Sequence, residues 1–134
     1  MTNSTRTVHP LGWAKARGYA HGIIAQGRLL FVAGQIGWDP QLRSPKLPRG
    51  FADQFGQALD NVLRVVREAG GTPADLARMT IYVTSKKEYL ASQKRMGEIW
   101  QRKVGRRYPA MTLVEVSALL EPSAKLELEA TAVL

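Results

Sequence analysis

The chain has 134 residues, 45% of them hydrophobic and 22% charged, the size and composition of one domain with one core spanning residues 1–134. It contains no cysteine, which excludes disulfides, thiolate nucleophiles and cysteine metal sites. A net charge of +8 leaves three meanings open: nucleic acid, anionic substrates or plain solubility.

Residues 1–13 are polar and mixed, without the apolar stretch of a signal peptide, and no apolar run reaches membrane-spanning length. The expected location is the cytoplasm, with no membrane contact. Two short strands come next, Ile23-Ile24 and residues 29–36. They flank Ala25-Gln26-Gly27-Arg28, which reads as a hairpin turn. The segment 39–50, with Pro40, Pro45 and Pro48, reads as a surface loop.

Residues 51–69 carry apolar side chains at Phe51, Phe55, Ala58, Leu59, Val62, Leu63 and Val66, a helical stripe. Gly70 and Gly71 supply its C-cap. Thr72-Pro73-Ala74-Asp75 reads as a capped helical turn with Pro at its first position. A strand over 79–84 follows. A second helix starts near Ser85, where Ser85 and Glu88 have capping-box spacing. Its stripe runs Tyr89, Leu90, Gln93, Met96, Gly97, Trp100 and Val104, with Gln93 as the polar exception. Strands over 111–116 and 125–133 complete the chain. In the last, Leu126, Leu128, Ala130 and Ala132 share one face, and Lys125, Glu127, Glu129 and Thr131 the other.

The order β-β-α-β-α-β-β predicts an α+β fold, a mixed or antiparallel sheet with two helices on one face. The strand over 29–36 is apolar on both sides: Leu30 and Val32 on one, Leu29, Phe31 and Ala33 on the other. Two helices cover one face only, so the helix-free face needs a partner, and the chain is expected to form an obligate oligomer.

Several blocks, in this order and spacing, resemble the YjgF/RidA family, also labelled endoribonuclease L-PSP. They are Val32-Ala33-Gly34-Gln35-Ile36, Gln57-Ala58-Leu59-Asp60-Asn61-Val62, Glu68-Ala69-Gly70-Gly71, Tyr82-Val83-Thr84, Tyr108-Pro109-Ala110, Val114-Glu115-Val116, and the stretch from Ala124 to Val133. The resemblance covers the chain from about Tyr19 onward. It implies a chorismate mutase-like fold and a homotrimer with sheets packed round a central barrel. Small-molecule ligands would then lie in three inter-subunit clefts. The best-known members hydrolyse reactive 2-imino and 2-enamino acids to 2-keto acids and ammonia, with neither metal nor organic cofactor.

In the deaminase members an arginine follows the Pro-Ala pair, and its guanidinium forks onto the substrate carboxylate. Here that position is Met111, which offers no charge and no donor. The family's cysteine two residues on is Leu113. Glu127 matches the carboxylate that positions or activates the attacking water, a catalytic role. Tyr19 matches the cleft tyrosine, Gln93 stands where a cleft asparagine is frequent, and Gly34 lies where backbone approaches the ligand.

Structural readings stand beside these. Glu127 can pair with Lys125, Tyr19 can serve as packing, and Met111 can line the core. Gln93 on an apolar stripe needs a hydrogen-bond partner if buried. Arg17, Arg106 or Arg107 can supply a cation in place of the lost arginine.

Three functions follow. The first is hydrolysis of an enamine or imine other than the standard 2-imino acids, in a greasier pocket. The second is a non-catalytic trimer that binds a small ligand. The third, RNA binding or cleavage, is prompted by the basic segment from Lys86 to Arg107. Tyr89 and Trp100 lie on the apolar stripe there, which makes them poor stacking platforms, and no acid–base pair for phosphodiester cleavage is evident. Nucleic acid is therefore the least favoured partner. His9 and His21, without cysteines or an acidic cluster, make a weak metal argument. No nucleophile elbow, phosphate loop or dinucleotide fingerprint occurs, so neither metal nor cofactor is expected.

Overall fold

The computed structural model describes residues 4–42 and 46–134, so Pro45 of the Pro-rich loop lies outside the described residues. In chain order the elements are β1 (Ser4–Val8), β2 (Gly22–Gln26), β3 (Leu29–Gln35), α1 (Phe51–Glu68), a 3-10 turn (Pro73–Asp75), β4 (Leu76–Val83), α2 (Lys86–Lys103), β5 (Ala110–Glu115) and β6 (Leu126–Val133). The main sheet runs β3-β6-β4-β5, with β4 and β5 parallel and the other pairs antiparallel. Helix α2 makes the crossover that a parallel pair requires. The fold is α+β, as the sequence predicts.

Helix α1 forms where the stripe falls. Phe51, Phe55, Ala58, Leu59, Val62, Leu63 and Val66 are all buried. They pack on Met79, Ile81, Val83, Leu126, Leu128, Ala130 and Ala132 from one face of the sheet. The helix stops in a Schellman motif. Gly70 takes φ +89°, its N–H donates to the Arg67 carbonyl at 2.9 Å, and the Gly71 N–H donates to the Val66 carbonyl at 2.9 Å.

Two buried amides lock the loops onto α1. Gln54 Nε2 donates to the carbonyls of Pro48 (2.7 Å) and Ser123 (3.0 Å), while its Oε1 accepts from the Lys125 N–H (2.8 Å). Asn61 Nδ2 donates to the carbonyls of Ile36 (3.2 Å) and Trp38 (2.8 Å). Burial of these amides is tolerated because their hydrogen bonds are made.

The structure corrects two local expectations. Residues 25–28 do not close a hairpin. β2 instead pairs antiparallel with β1, a strand that the polar N-terminal sequence does not announce. β3 turns away to β6, held by reciprocal backbone bonds between Arg28 and Leu134 at 2.7 and 2.8 Å. The buried face of α2 is also rotated from the expected stripe. Met96, Ile99 and Trp100 are its buried residues, whereas Leu90 is 53% exposed. Ile99 faces Gly56 of α1 at ordinary packing distance. A β-carbon at Gly56 would stand 3.7 Å from Ile99 Cγ2. At the start of α2 half of the capping box forms. Ser85 Oγ accepts from the Glu88 N–H at 3.2 Å, but the Glu88 carboxylate takes Lys125 Nζ at 2.7 Å.

The helix-free face of the sheet carries Leu29 at 61% and Phe31 at 74% exposure. Beside them run Glu127, Glu129 and Thr131 of β6 and Tyr82 and Thr80 of β4, placed by the register Tyr82↔Glu127 and Thr80↔Glu129. Among the described residues no helix is long and apolar enough to cross a membrane.

Candidate functional site

Strand β5 is an edge strand. Its register with β4, Met79↔Met111 and Ile81↔Leu113, places Met111 and Leu113 on the helix side of the sheet. Beyond that edge runs the segment before β2, tied down by the Ala20 N–H donating to the Pro109 carbonyl at 2.9 Å. Between this segment, α2 and β5 opens a cavity of about 510 Å³, a volume suited to a small molecule. Met111, Leu113, Met96 and Trp100 give it an apolar floor, and Arg17, Tyr19 and Gln93 bring polar groups to it.

Four of the sequence-derived site residues therefore meet here: Tyr19, Gln93, Met111 and Leu113. Gln93 is not buried on α2 as its stripe position suggested. It is exposed at the cavity, with its Nε2 donating to the Tyr89 hydroxyl at 3.3 Å. Among the described residues Arg17 is the only arginine or lysine lining this cavity, and it is exposed. Tyr108 also lines it, stacked on Trp100 with ring centroids 5.4 Å apart and planes 8° from parallel. Reading the sequence did not single out Tyr108 for a role. Its signal was the aromatic directly ahead of the Pro-Ala pair.

Gly34 and Glu127 lie elsewhere, together on the helix-free face. A β-carbon at Gly34 would run into the Glu127 carboxylate, with the carboxyl carbon 2.9 Å away. Only glycine leaves that carboxylate its position. Glu127 accepts no hydrogen bond from any described side chain. Lys125, its suggested partner, is paired with Glu88 instead. On the adjacent strand β4, directly opposite Glu127, the Tyr82 hydroxyl donates to Glu129 Oε1 at 2.5 Å. That hydrogen bond, together with the negative charge nearby, pushes the Tyr82 phenol above its ordinary range.

The candidate residues thus fall into two groups on opposite faces of one sheet. Arg106 and Arg107 join neither. Arg95 and Lys103 of the basic segment are bound to α1, by Asp53 at 2.6 Å and Asp60 at 2.7 Å. Among the described residues no cluster of three or more His, Cys, Asp or Glu side chains is placed to hold a metal.

Residues 12–134 match the family model described as Endoribonuclease L-PSP. The chain belongs to the YjgF/RidA family. It is 32% identical over 107 residues to the 2-iminobutanoate/2-iminopropanoate deaminase of Escherichia coli, with 80% of each chain covered. Among solved structures, the Rid-family protein YyfB from Yersinia pestis superposes with a TM-score of 0.84 at 30% identity, covering 97% of this chain and 98% of that one. TdcF of E. coli, with bound serine, superposes with a TM-score of 0.68 at 28% identity, covering 96% of this chain and 98% of that one. This RidA-family chain therefore has imine deaminases among its relatives.

Proposed function

We propose that the protein hydrolyses an imine or enamine whose carboxylate, if it has one, is remote from the C=N carbon. The observation that carries this reading is Met111 on the floor of the cavity, at the position where the resemblance puts the carboxylate-binding arginine. A thioether there cannot hold an α-carboxylate. Among the described residues the only arginine or lysine lining the cavity, Arg17, is exposed, so an anionic group would be met away from that floor.

The chemistry needs few parts. An enamine takes a proton at its β-carbon and becomes the imine. Water then adds across C=N, its oxygen to carbon and a proton to nitrogen. The carbinolamine loses ammonia and leaves the carbonyl. Glu127 is the base that orients the water and takes its proton. Glu127 and Met111 occupy opposite faces of the sheet, so one copy cannot bring them to the same ligand. A second copy must supply the Gly34–Glu127 half-site. This supports a homotrimer, with the helix-free faces packed into a central barrel in the chorismate mutase-like manner and the substrate in clefts between subunits. Covering Phe31 alone contributes about 1.5–3 kcal/mol to such an assembly.

The test uses imines made in situ by an amine oxidase from ω-amino acids, whose carboxylate is remote, with semicarbazide as a competing trap. Wild type is expected to divert imine from the trap, and Glu127→Gln to lose that effect while keeping its oligomeric state. Unchanged turnover in Glu127→Gln removes Glu127 from the chemistry. A compound of this class that raises the melting temperature without being consumed favours the binding-only trimer instead.

A further inference from the structure

A second cavity, of about 690 Å³, lies between the β1–β2 pair, the segment ahead of β2 and the loop after α2. His9, Lys15, His21, Arg106 and Arg107 line it, and no carboxylate does. Three cations elsewhere in the molecule are ion-paired: Arg95 with Asp53, Lys103 with Asp60 and Lys125 with Glu88. Lys15, Arg106 and Arg107 have no ion pair with any described residue. Three unpaired cations in one concavity repel one another, and an anion bound among them removes that cost.

The walls are held in place. Gly105, at φ +107°, turns the chain out of α2, and Trp100 Nε1 donates to the Arg107 carbonyl at 3.0 Å. On the other side, His21 is boxed by Trp13 (centroids 4.8 Å apart) and Tyr19 (5.1 Å), both edge-on. The His9 ring lies 5.5 Å from His21, with its Nε2 3.0 Å from the Trp13 carbonyl oxygen. The Thr5 and Thr7 hydroxyls add neutral donors to the same cavity. Forked guanidinium groups, an ammonium, imidazoles and hydroxyls with no competing carboxylate make a recognition set for a phosphate group.

We infer that this cavity binds a small phosphorylated ligand, a phosphate monoester, at a site that adjoins the Met111 cavity and shares Tyr19 and Tyr108 with it. The edge-on packing of Trp13 and Tyr19 against His21 engages the rings with one another, which favours a single phosphate in a pocket over a strand of stacked bases. The inference does not depend on the enzymatic reading.

The test is calorimetric titration of the whole protein with inorganic phosphate and with glycerol 3-phosphate, at fixed ionic strength set by chloride. Both are expected to bind at millimolar concentration or tighter. Arg106→Ala with Arg107→Ala should weaken binding at least tenfold, and Lys15→Ala should weaken it by a smaller factor. Proton NMR of wild type gives a second readout that needs no variant to fold. The His9 and His21 ring resonances should move on addition of phosphate and stay still on addition of equal chloride. Absence of binding to wild type, or equal affinity in a folded double variant, overturns the proposal. So does single-stranded RNA that binds far more tightly than either phosphate and is lost in the same variants, which would make the cavity part of a nucleic-acid track.

Discussion

The Glu127 carboxyl group lies directly over Gly34, close enough that any side chain at residue 34 would displace it. This contact joins β6 to the irregular part of β3, where the register shifts between Val32 and Gln35. Gly34→Ala is therefore expected to move the carboxylate while leaving the core intact. Displacing a catalytic group by about 1 Å can cost on the order of 100-fold in rate. Turnover should fall by that order with little change in melting temperature. A Gly34→Ala protein with wild-type turnover would show that Glu127 can shift without consequence.

Phe31 and Leu29 stand exposed on a sheet face that no helix covers. Phe31→Lys places a charge where a partner is expected to sit. Light scattering after size exclusion should give a trimer for wild type and a smaller species for the variant, and the smaller species should lack turnover because its half-sites are separated. A monodisperse wild-type monomer at micromolar concentration would remove the oligomer, and with it the composite site.

The Tyr82 hydroxyl donates to Glu129, and this bond holds the phenol proton, raising its folded value above the ordinary phenol value. A raised value means that the folded protein binds more protons than the unfolded chain once the unfolded phenol ionises, near pH 10. The contribution to stability is complete below about pH 10 and is lost as pH rises through the folded value. In urea melts, stability of wild type should decline above pH 10 more steeply than that of Tyr82→Phe. Parallel curves for the two proteins would show that the bond does not persist in solution.

Most of the architecture is legible in the sequence because it rests on periodicity. The α1 stripe, its glycine stop and the alternation of β6 each follow from which residues face the core. The elements that escaped lack such a pattern. β1 is Ser-Thr-Arg-Thr-Val, polar except for Val8, and becomes a strand by pairing with β2. The buried face of α2 is set by its packing on α1, where Ile99 meets Gly56, a contact between helices that neither stripe encodes alone. Of the candidate site, Tyr19, Gln93, Met111 and Leu113 line one cavity. That Glu127 and Gly34 face away from them depends on strand register across β5, β4 and β6, which spacing along one chain does not reveal. The phosphate-binding set was hidden for the same reason. His9, Lys15 and His21 come from the segment between β1 and β2, and Arg107 from the distant loop after α2.

The most direct measurement is hydrolysis of 2-iminobutanoate, generated in situ by an amino-acid oxidase, with wild type and Met111→Arg side by side. Wild type is expected to leave the decay at its spontaneous rate, and Met111→Arg to accelerate it by at least tenfold, because the guanidinium restores a partner for the α-carboxylate. Acceleration by wild type that equals or exceeds that of Met111→Arg would contradict the account, since the α-carboxylate would then be recognised without an arginine at position 111.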